Sequence, residues 1–163
     1  MIQKILRVYL IAAAGTGMSA LAGLLKSKAY EVGGCDLACY SPVKELLDSI
    51  GIDFCLGYDL EHLKKFNPDY VVIGNFVRSD NPLAQYVIQK GLAYGSLPST
   101  LEDLFLQQTY NSVVVGTHGK STTSTILAQL LYDAGKDPSF FIGAVSGFFG
   151  QSYRLGGGED FVL

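Results

Sequence analysis

Val113-Val114-Val115-Gly116-Thr117-His118-Gly119-Lys120-Ser121-Thr122-Thr123 is the stretch on which the reading of the fold turns. A β-branched run stops at a glycine, a tight turn follows, and Gly119-Lys120-Ser121 opens a helical pattern. A strand that feeds a glycine turn at a helix N-terminus builds a phosphate-binding loop. Backbone N–H groups approach the phosphate oxygens there, and the helix end adds partial positive charge. Lys120 is suited to reach the terminal phosphates, and the Ser121 hydroxyl to ligate Mg²⁺. The pattern departs from G-x-x-x-x-G-K-[ST], because Val114 stands where the first glycine belongs and the spacing is the shorter Gly116-x-x-Gly119-Lys120-Ser121. The plainer alternative is a glycine turn with a surface lysine. The strand before it and the helix after it favour the phosphate loop.

Upstream, a second turn has the same logic. Arg7 to Ala14 reads as a buried strand, Gly15-Thr16-Gly17 as a turn, and Met18 to Lys28 as a helix with Met18, Leu21, Ala22 and Leu25 on one face. Gly15-Thr16-Gly17-Met18-Ser19-Ala20 fits G-x-G-x-x-[GA], and Asp36 ends the next strand, Tyr30 to Cys35, near the distance of a ribose-binding acid. Taken alone, this motif says NAD or FAD, hence a nicotinamide-dependent oxidoreductase. Its physics is broader, since any nucleotide diphosphate suits a helix N-terminus with a carboxylate nearby, a UDP-sugar included. A dehydrogenase has no need of a second phosphate turn, whereas an ATP-using enzyme with a nucleotide-linked substrate needs both.

Between the turns, strands alternate with helices. Ser41-Pro42 and Asn81-Pro82 each read as N-cap followed by proline at the first helical position, and Gly51 and Gly91 close those helices. Further strands are expected at Ile52 to Leu56, Tyr70 to Ile73 and Leu92 to Tyr94. Asp59 to Lys65 reads as a short helix, and Thr100 to Gln107 as a helix capped by Thr100. The fold class is therefore α/β: a Rossmann-like parallel sheet over residues 1–108, then the opening of a P-loop α/β domain over 109–163. The polar run Gln107 to Asn111 marks the boundary. In the second unit the helix after the loop is expected to bury Thr123, Leu127, Leu130, Leu131 and Ala134. Phe140 to Ile142 reads as a strand, and Phe161 to Leu163 as one just starting, so the chain is expected to stop within a domain.

Composition bounds the classes. Over 163 residues, hydrophobic content is 48%, charged content 17% and net charge −3, a globular balance without the basic block a nucleic-acid partner needs. The apolar start from Ile2 to Ala14 is too short to span a bilayer, and its glycine-bounded pattern suits a strand better than a leader's apolar core. Cys35, Cys39 and Cys55 lack C-x-x-C spacing and read as reduced thiols of a cytoplasmic protein. With His62 and His118 the only histidines, a histidine-rich metal centre is excluded.

Gly116-Thr117-His118-Gly119-Lys120-Ser121-Thr122-Thr123 resembles the G-T-H-G-K-T-T-T loop of the Mur ligases, with Ser121 in place of the usual threonine. The early turn resembles the family's G-I-G-G-x-G-M-S stretch, with alanine at positions 12 and 14. The likeness runs the length of the chain. Asp36-x-x-x-Tyr40-x-Pro42, Gly57-Tyr58-Asp59, Gly74-Asn75 with Asn81-Pro82, and Phe141-Ile142-Gly143-Ala144 with Arg154-Leu155-Gly156 are similar to the branch that attaches a tripeptide to UDP-N-acetylmuramate. A second branch, which adds L-alanine to UDP-N-acetylmuramate, usually has a serine pair where Gly74-Asn75 stands.

The resemblance implies ATP-driven amide formation through an acyl phosphate, with ATP and Mg²⁺ as cofactors. It implies Lys120 and His118 as catalytic, and Gly116, Thr117, Gly119, Lys120, Ser121 and Thr122 as the ATP cradle, with Ser121 on Mg²⁺. Gly15, Thr16, Gly17, Met18, Asp36 and Asn75 are implied for the UDP-sugar. His118 either faces the substrate carboxylate or shapes the turn. Asn81 reads first as an N-cap. The family's acidic Mg²⁺ segment would follow Leu163, so the chain alone is expected to bind ATP weakly and to ligate nothing.

Overall fold

A computed structural model describes residues 6–163; the first residues of the apolar start, 1–5, lie outside the described residues. The chain forms two compact units, Met1–Thr100 and Leu101–Leu163.

The first unit is a five-stranded sheet in which every pairing is parallel. β1 (Arg7–Ile11), β2 (Glu31–Asp36), β3 (Asp53–Leu56), β4 (Tyr70–Ile73) and β5 (Tyr94–Gly95) stand in the order β3-β2-β1-β4-β5. Between them run α1 (Thr16–Ser27), α2 (Val43–Ser49), α3 (Leu60–Phe66) and α4 (Pro82–Gln89). A strand with helices on both faces is apolar throughout, and Val8, Tyr9, Leu10 and Ile11 are all fully buried. Each such side chain contributes about 1.5–3 kcal/mol. Alternation sends Tyr9, Ile11, Cys35 and Val71 to the face covered by Leu63 and Phe66 of α3 and Leu83 and Val87 of α4. Strand order and parallel pairing make this the Rossmann-like sheet that the strand–helix alternation predicts.

Local chemistry explains where helices begin. Asn81 Oδ1 accepts from Leu83 N at 2.9 Å and Ala84 N at 3.2 Å, with Pro82 next in line, so the expected cap stands as read. Such a cap is worth about 1 kcal/mol. Ser41 does not cap α2: its hydroxyl is spent on the Glu45 carboxylate, and Pro42 takes the N-cap position. Thr100 is not a cap either. The helix starts earlier, at α5 (Leu97–Leu101), and continues as a π-helical turn, Glu102–Leu106. Ser96 and Ser99 exchange amide-to-hydroxyl bonds at 2.9 and 3.3 Å at its start, while Thr100 Oγ1 donates back to Ser96 O at 2.7 Å. The fifth strand lies at Tyr94–Gly95 and not at Leu92 to Tyr94, because Val71 and Val72 find their register partners there.

One polar network runs from the buried Tyr9 of β1 to the exposed Asp53 of β3. The Tyr9 hydroxyl, fully buried, lies 2.7 Å from His62 Nδ1, and His62 Nε2 lies 3.2 Å from Asp53 Oδ1. A carboxylate can only accept, so Nε2 donates to Asp53, and the phenol completes the network at Nδ1. Burial pushes the Tyr9 phenol far above its ordinary range. It also lifts the Cys35 thiol to about 12, a bond from Tyr9 pulling the other way, so Cys35 stays a protonated, inert thiol. His62→Ala leaves that hydroxyl without its nitrogen partner and is expected to cost about 1–3 kcal/mol in urea unfolding. Adding Tyr9→Phe should recover part of the loss.

The second unit is a four-stranded sheet in the order β6-β9-β7-β8, from β6 (Tyr110–Ser112), β7 (Ser139–Phe141), β8 (Tyr153–Arg154) and β9 (Asp160–Val162), with α6 (Lys120–Asp133) after the loop. All pairs are parallel except β7 with β8. The strand before the loop is thus the polar Tyr110–Ser112, and Val113 to Val115 is not the buried strand its composition suggests. Val113 is 64% and Val115 82% exposed, and the ladder continues through Leu163 N to Ser112 O and Val114 N to Leu163 O, both at 2.9 Å. The buried stripe of α6 is also rotated from expectation. Ser124 and Ala128 are buried, with Leu127 and Leu131 against Phe140, Ile142 and Val162, while Leu130 is exposed. Ser124 sets this rotation by donating to Leu163 O at 3.2 Å.

The segment after β8 is built around Asp137. Arg154 binds its carboxylate and donates to Pro138 O at 2.6 Å, while Gly157 N and Gly158 N donate to Asp137 Oδ2 and O at 2.6 and 2.9 Å. The Arg154 hydrogen bond holds the Asp137 carboxyl below its ordinary value.

Candidate functional site

In the first unit the site grows from the carboxyl end of β1. After Ile11 the chain turns sharply, with Ala12 at φ +66°, a conformation that costs a non-glycine residue about 1–2 kcal/mol. The turn is pinned to the end of β2 by Ala13 N donating to Cys35 O at 3.0 Å and Ala14 N donating to Asp36 Oδ2 at 2.9 Å. Asp36 Oδ1 accepts from Leu37 N at 2.7 Å. Close approach requires glycine at position 34, where a Cβ would come within 2.9 Å of both the Ala13 Cβ and the Leu10 carbonyl.

Gly15 then caps α1 with no side-chain hydrogen bond, leaving the first-turn N–H groups for a ligand. Gly15, Thr16, Gly17 and Met18 line a cavity of about 210 Å³, facing Gly74 and Asn75 at the end of β4. Met18 is both buried in the core and part of this wall. The cavity sits between the carboxyl ends of β1 and β4, the point where the strand order reverses, and such switch points are where open α/β sheets bind ligands. Asp36 stands on the other side of β1. Two of its lone-pair positions hold backbone, and the others remain for a hydroxyl. Asn81, spent on its cap, is not among the lining residues. Phe76 and Leu97 complete the wall and were absent from the residues the motifs single out. Their signal is position: Phe76 follows Gly74-Asn75 directly.

In the second unit Gly116, Thr117, His118 and Gly119 form an exposed loop at the N-terminus of α6. Gly119 is the N-cap at φ +76°, left-handed backbone that suits glycine, and no side chain caps the helix. Lys120 Nζ folds back on the loop and donates to Gly116 O at 2.7 Å and Thr117 O at 3.3 Å, so its charge is held at the loop. Ser121 is half-buried and Thr122 exposed on the first turn of α6. The donor set suits Mg²⁺ only as a phosphate-borne ion: Ser121 supplies one hard oxygen, and the described residues contain no cluster of three His, Cys, Asp or Glu. Cys35, Cys39 and Cys55 are free thiols. Among the described residues no helix is long and apolar enough to cross a membrane.

Comparison with known proteins bears on both loops. The chain is 37% identical over 158 residues to the UDP-N-acetylmuramate–L-alanyl-γ-D-glutamyl-meso-2,6-diaminoheptandioate ligase of Escherichia coli, covering 97% of this chain and 34% of that protein. It is 35% identical to a UDP-N-acetylmuramate–L-alanine ligase of Solidesulfovibrio magneticus, over 98% of this chain and 34% of that one. Among solved structures, a UDP-N-acetylmuramate:L-alanyl-γ-D-glutamyl-meso-diaminopimelate ligase from Neisseria meningitides superposes with a TM-score of 0.91 at 35% identity, over 98% of this chain and 52% of that one. The chain therefore spans about a third of the length of the curated relatives it matches. The Mur ligase family, catalytic domain, matches residues 7–109, which run from the first residue of β1 through the whole five-stranded sheet. With that match, these relatives and the shared architecture, the chain belongs to the Mur ligase family.

Proposed function

We propose that this chain serves an ATP-dependent, ADP-forming amide ligase that joins UDP-N-acetylmuramate to the tripeptide L-alanyl-γ-D-glutamyl-meso-diaminopimelate, in the cytoplasm, during recycling of cell-wall peptides. The observation that carries this reading is the presence of two uncapped helix N-termini, each behind a glycine turn, in two successive α/β units. A nicotinamide enzyme gives no reason for the second. Residues 1–108 are assigned the UDP-sugar and residues 109–163 the ATP loop. Gly74-Asn75 favours the tripeptide over L-alanine, since the alanine-adding branch usually has a serine pair at that place.

ATP with Mg²⁺, when bound, supplies the activation of the muramate carboxylate as an acyl phosphate. The chain's own part is positioning and charge neutralisation. Lys120 exchanges its two loop carbonyls for phosphate oxygens, Gly119 and Thr122 offer backbone and hydroxyl donors, and Ser121 holds the ion. His118, exposed beside them, faces the substrate carboxylate.

Calorimetric titration of the chain with UDP-N-acetylmuramate tests the first site, and saturable heat is expected. The whole protein should then release phosphate from ATP when given the tripeptide and not when given L-alanine. Silence in both assays rejects the reading; turnover with L-alanine alone transfers the protein to the other branch.

A further inference from the structure

Phe76 is 97% exposed, the highest exposure among the described large hydrophobic residues, yet its ring lines the same cavity as Gly15, Thr16 and Gly17. A phenylalanine facing water over its whole surface stabilises nothing in the folded chain. Single exposed apolar residues are common and need no explanation. This one differs in its place: it stands on the lip of the switch-point crevice, directly beyond the end of β4. Sheet order then decides what passes over it. β1 lies between β2 and β4, so a diphosphate on the α1 N-terminus has Asp36 on one side and Phe76 on the other. The ribose belongs on the Asp36 side, where an acid ends β2. The moiety on the Phe76 side is the group esterified to the far phosphate.

Building on the proposed function, we propose that Phe76 is a specificity-determining residue whose ring forms the platform for the sugar of a nucleotide diphosphate sugar, stacked against the pyranose C–H face. A pyranose presents partly positive C–H groups on one face, and an aromatic ring presents its negative face to them while covering apolar area. Neighbouring Leu97 extends the apolar floor. The uridine and the diphosphate make no use of the ring.

The test is calorimetric titration of the 163-residue chain with UDP-N-acetylmuramate and, separately, with UDP. Phe76→Ala and Phe76→Leu should each weaken the UDP-sugar about tenfold and leave UDP unchanged, while Phe76→Tyr stays within about twofold of the unsubstituted chain. Because the side chain is fully exposed, all three variants should keep the parent's unfolding curve. Equal losses for UDP and the UDP-sugar would put the ring at the nucleoside or diphosphate and overturn the inference, as would unchanged affinity in Phe76→Ala. If the unsubstituted chain binds neither compound, the proposed function itself falls and takes this inference with it.

Discussion

Asp36→Ala is expected to destabilise the first unit by about 2–4 kcal/mol and to weaken UDP-N-acetylmuramate binding by about two orders of magnitude. The carboxylate accepts from Ala14 N and Leu37 N, two charge-assisted bonds that hold the β1–α1 turn onto the end of β2. Alanine leaves both amides without that partner and frees a turn that already contains Ala12 in left-handed backbone. The helix N-terminus it positions then loses its aim, and misplacement of about 1 Å is enough for losses of this size. Asp36→Asn keeps one acceptor and should fall between. The outcome also separates two roles for this side chain. If Asp36 only meets the ribose, Asp36→Ala loses binding at wild-type stability in urea; if it also builds the turn, both fall together. Full stability in Asp36→Ala would refute the structural half of this account.

The second large effect belongs to Gly158→Ala. A Cβ there would lie 1.8 Å from Lys136 O and 3.0 Å from Asp137 O, and both obstacles are backbone. No rotamer relieves the clash, so the segment between β8 and β9 must move away from Asp137 and give up the Gly157 and Gly158 bonds. The cost is about 3 kcal/mol or more. Stabilities of about 0.05–0.15 kcal/mol per residue leave a unit of this size little reserve. Amide exchange should show protection lost at 110–112, 139–141 and 160–162 while 7–11 keep theirs. Equal protection at both sets would show that the loop absorbs the extra methyl group.

What could be read in the sequence divides along a physical line. Asn81-Pro82 was legible because capping is a transaction between neighbours, complete within four residues. The two glycine turns were legible for the same reason. Ser41-Pro42 has the same cap-then-proline pattern and fails as a cap, because Glu45 offers its hydroxyl a charged acceptor. Thr100 misled because the serine pair at Ser96 and Ser99 captures the helix start one turn earlier. Val113 to Val115 misled because β-branched composition measures fit to a pleated surface, and the neighbouring strand β9 pairs with Tyr110–Ser112. The stripe of α6 could not be chosen from its own pattern, since apolar residues lie on more than one face and the sheet beneath selects among them. Gly15, Thr16, Gly17, Met18 and Asn75 line one cavity, while Asp36 lies outside its lining. Phe76 did not show, because its meaning depends on β4 lying next to β1, a fact of topology and not of composition.

The position of β9 has a consequence for biosynthesis. β6, which leads into the glycine loop ahead of α6, has β9 as its neighbour in the sheet, and β9 also separates β6 from β7. Tyr110 is made long before Asp160, its register partner. Translation proceeds at about 5–20 residues per second, so Gly116 to Ser121 leaves the ribosome seconds before anything exists to brace the strand in front of it. The first unit, whose strands pair among themselves, can close meanwhile. A nascent chain thus acquires the crevice between β1 and β4 before the loop from Gly116 to Gly119 is braced, and chaperone contact during synthesis should fall on the stretch from Tyr110 to Val162.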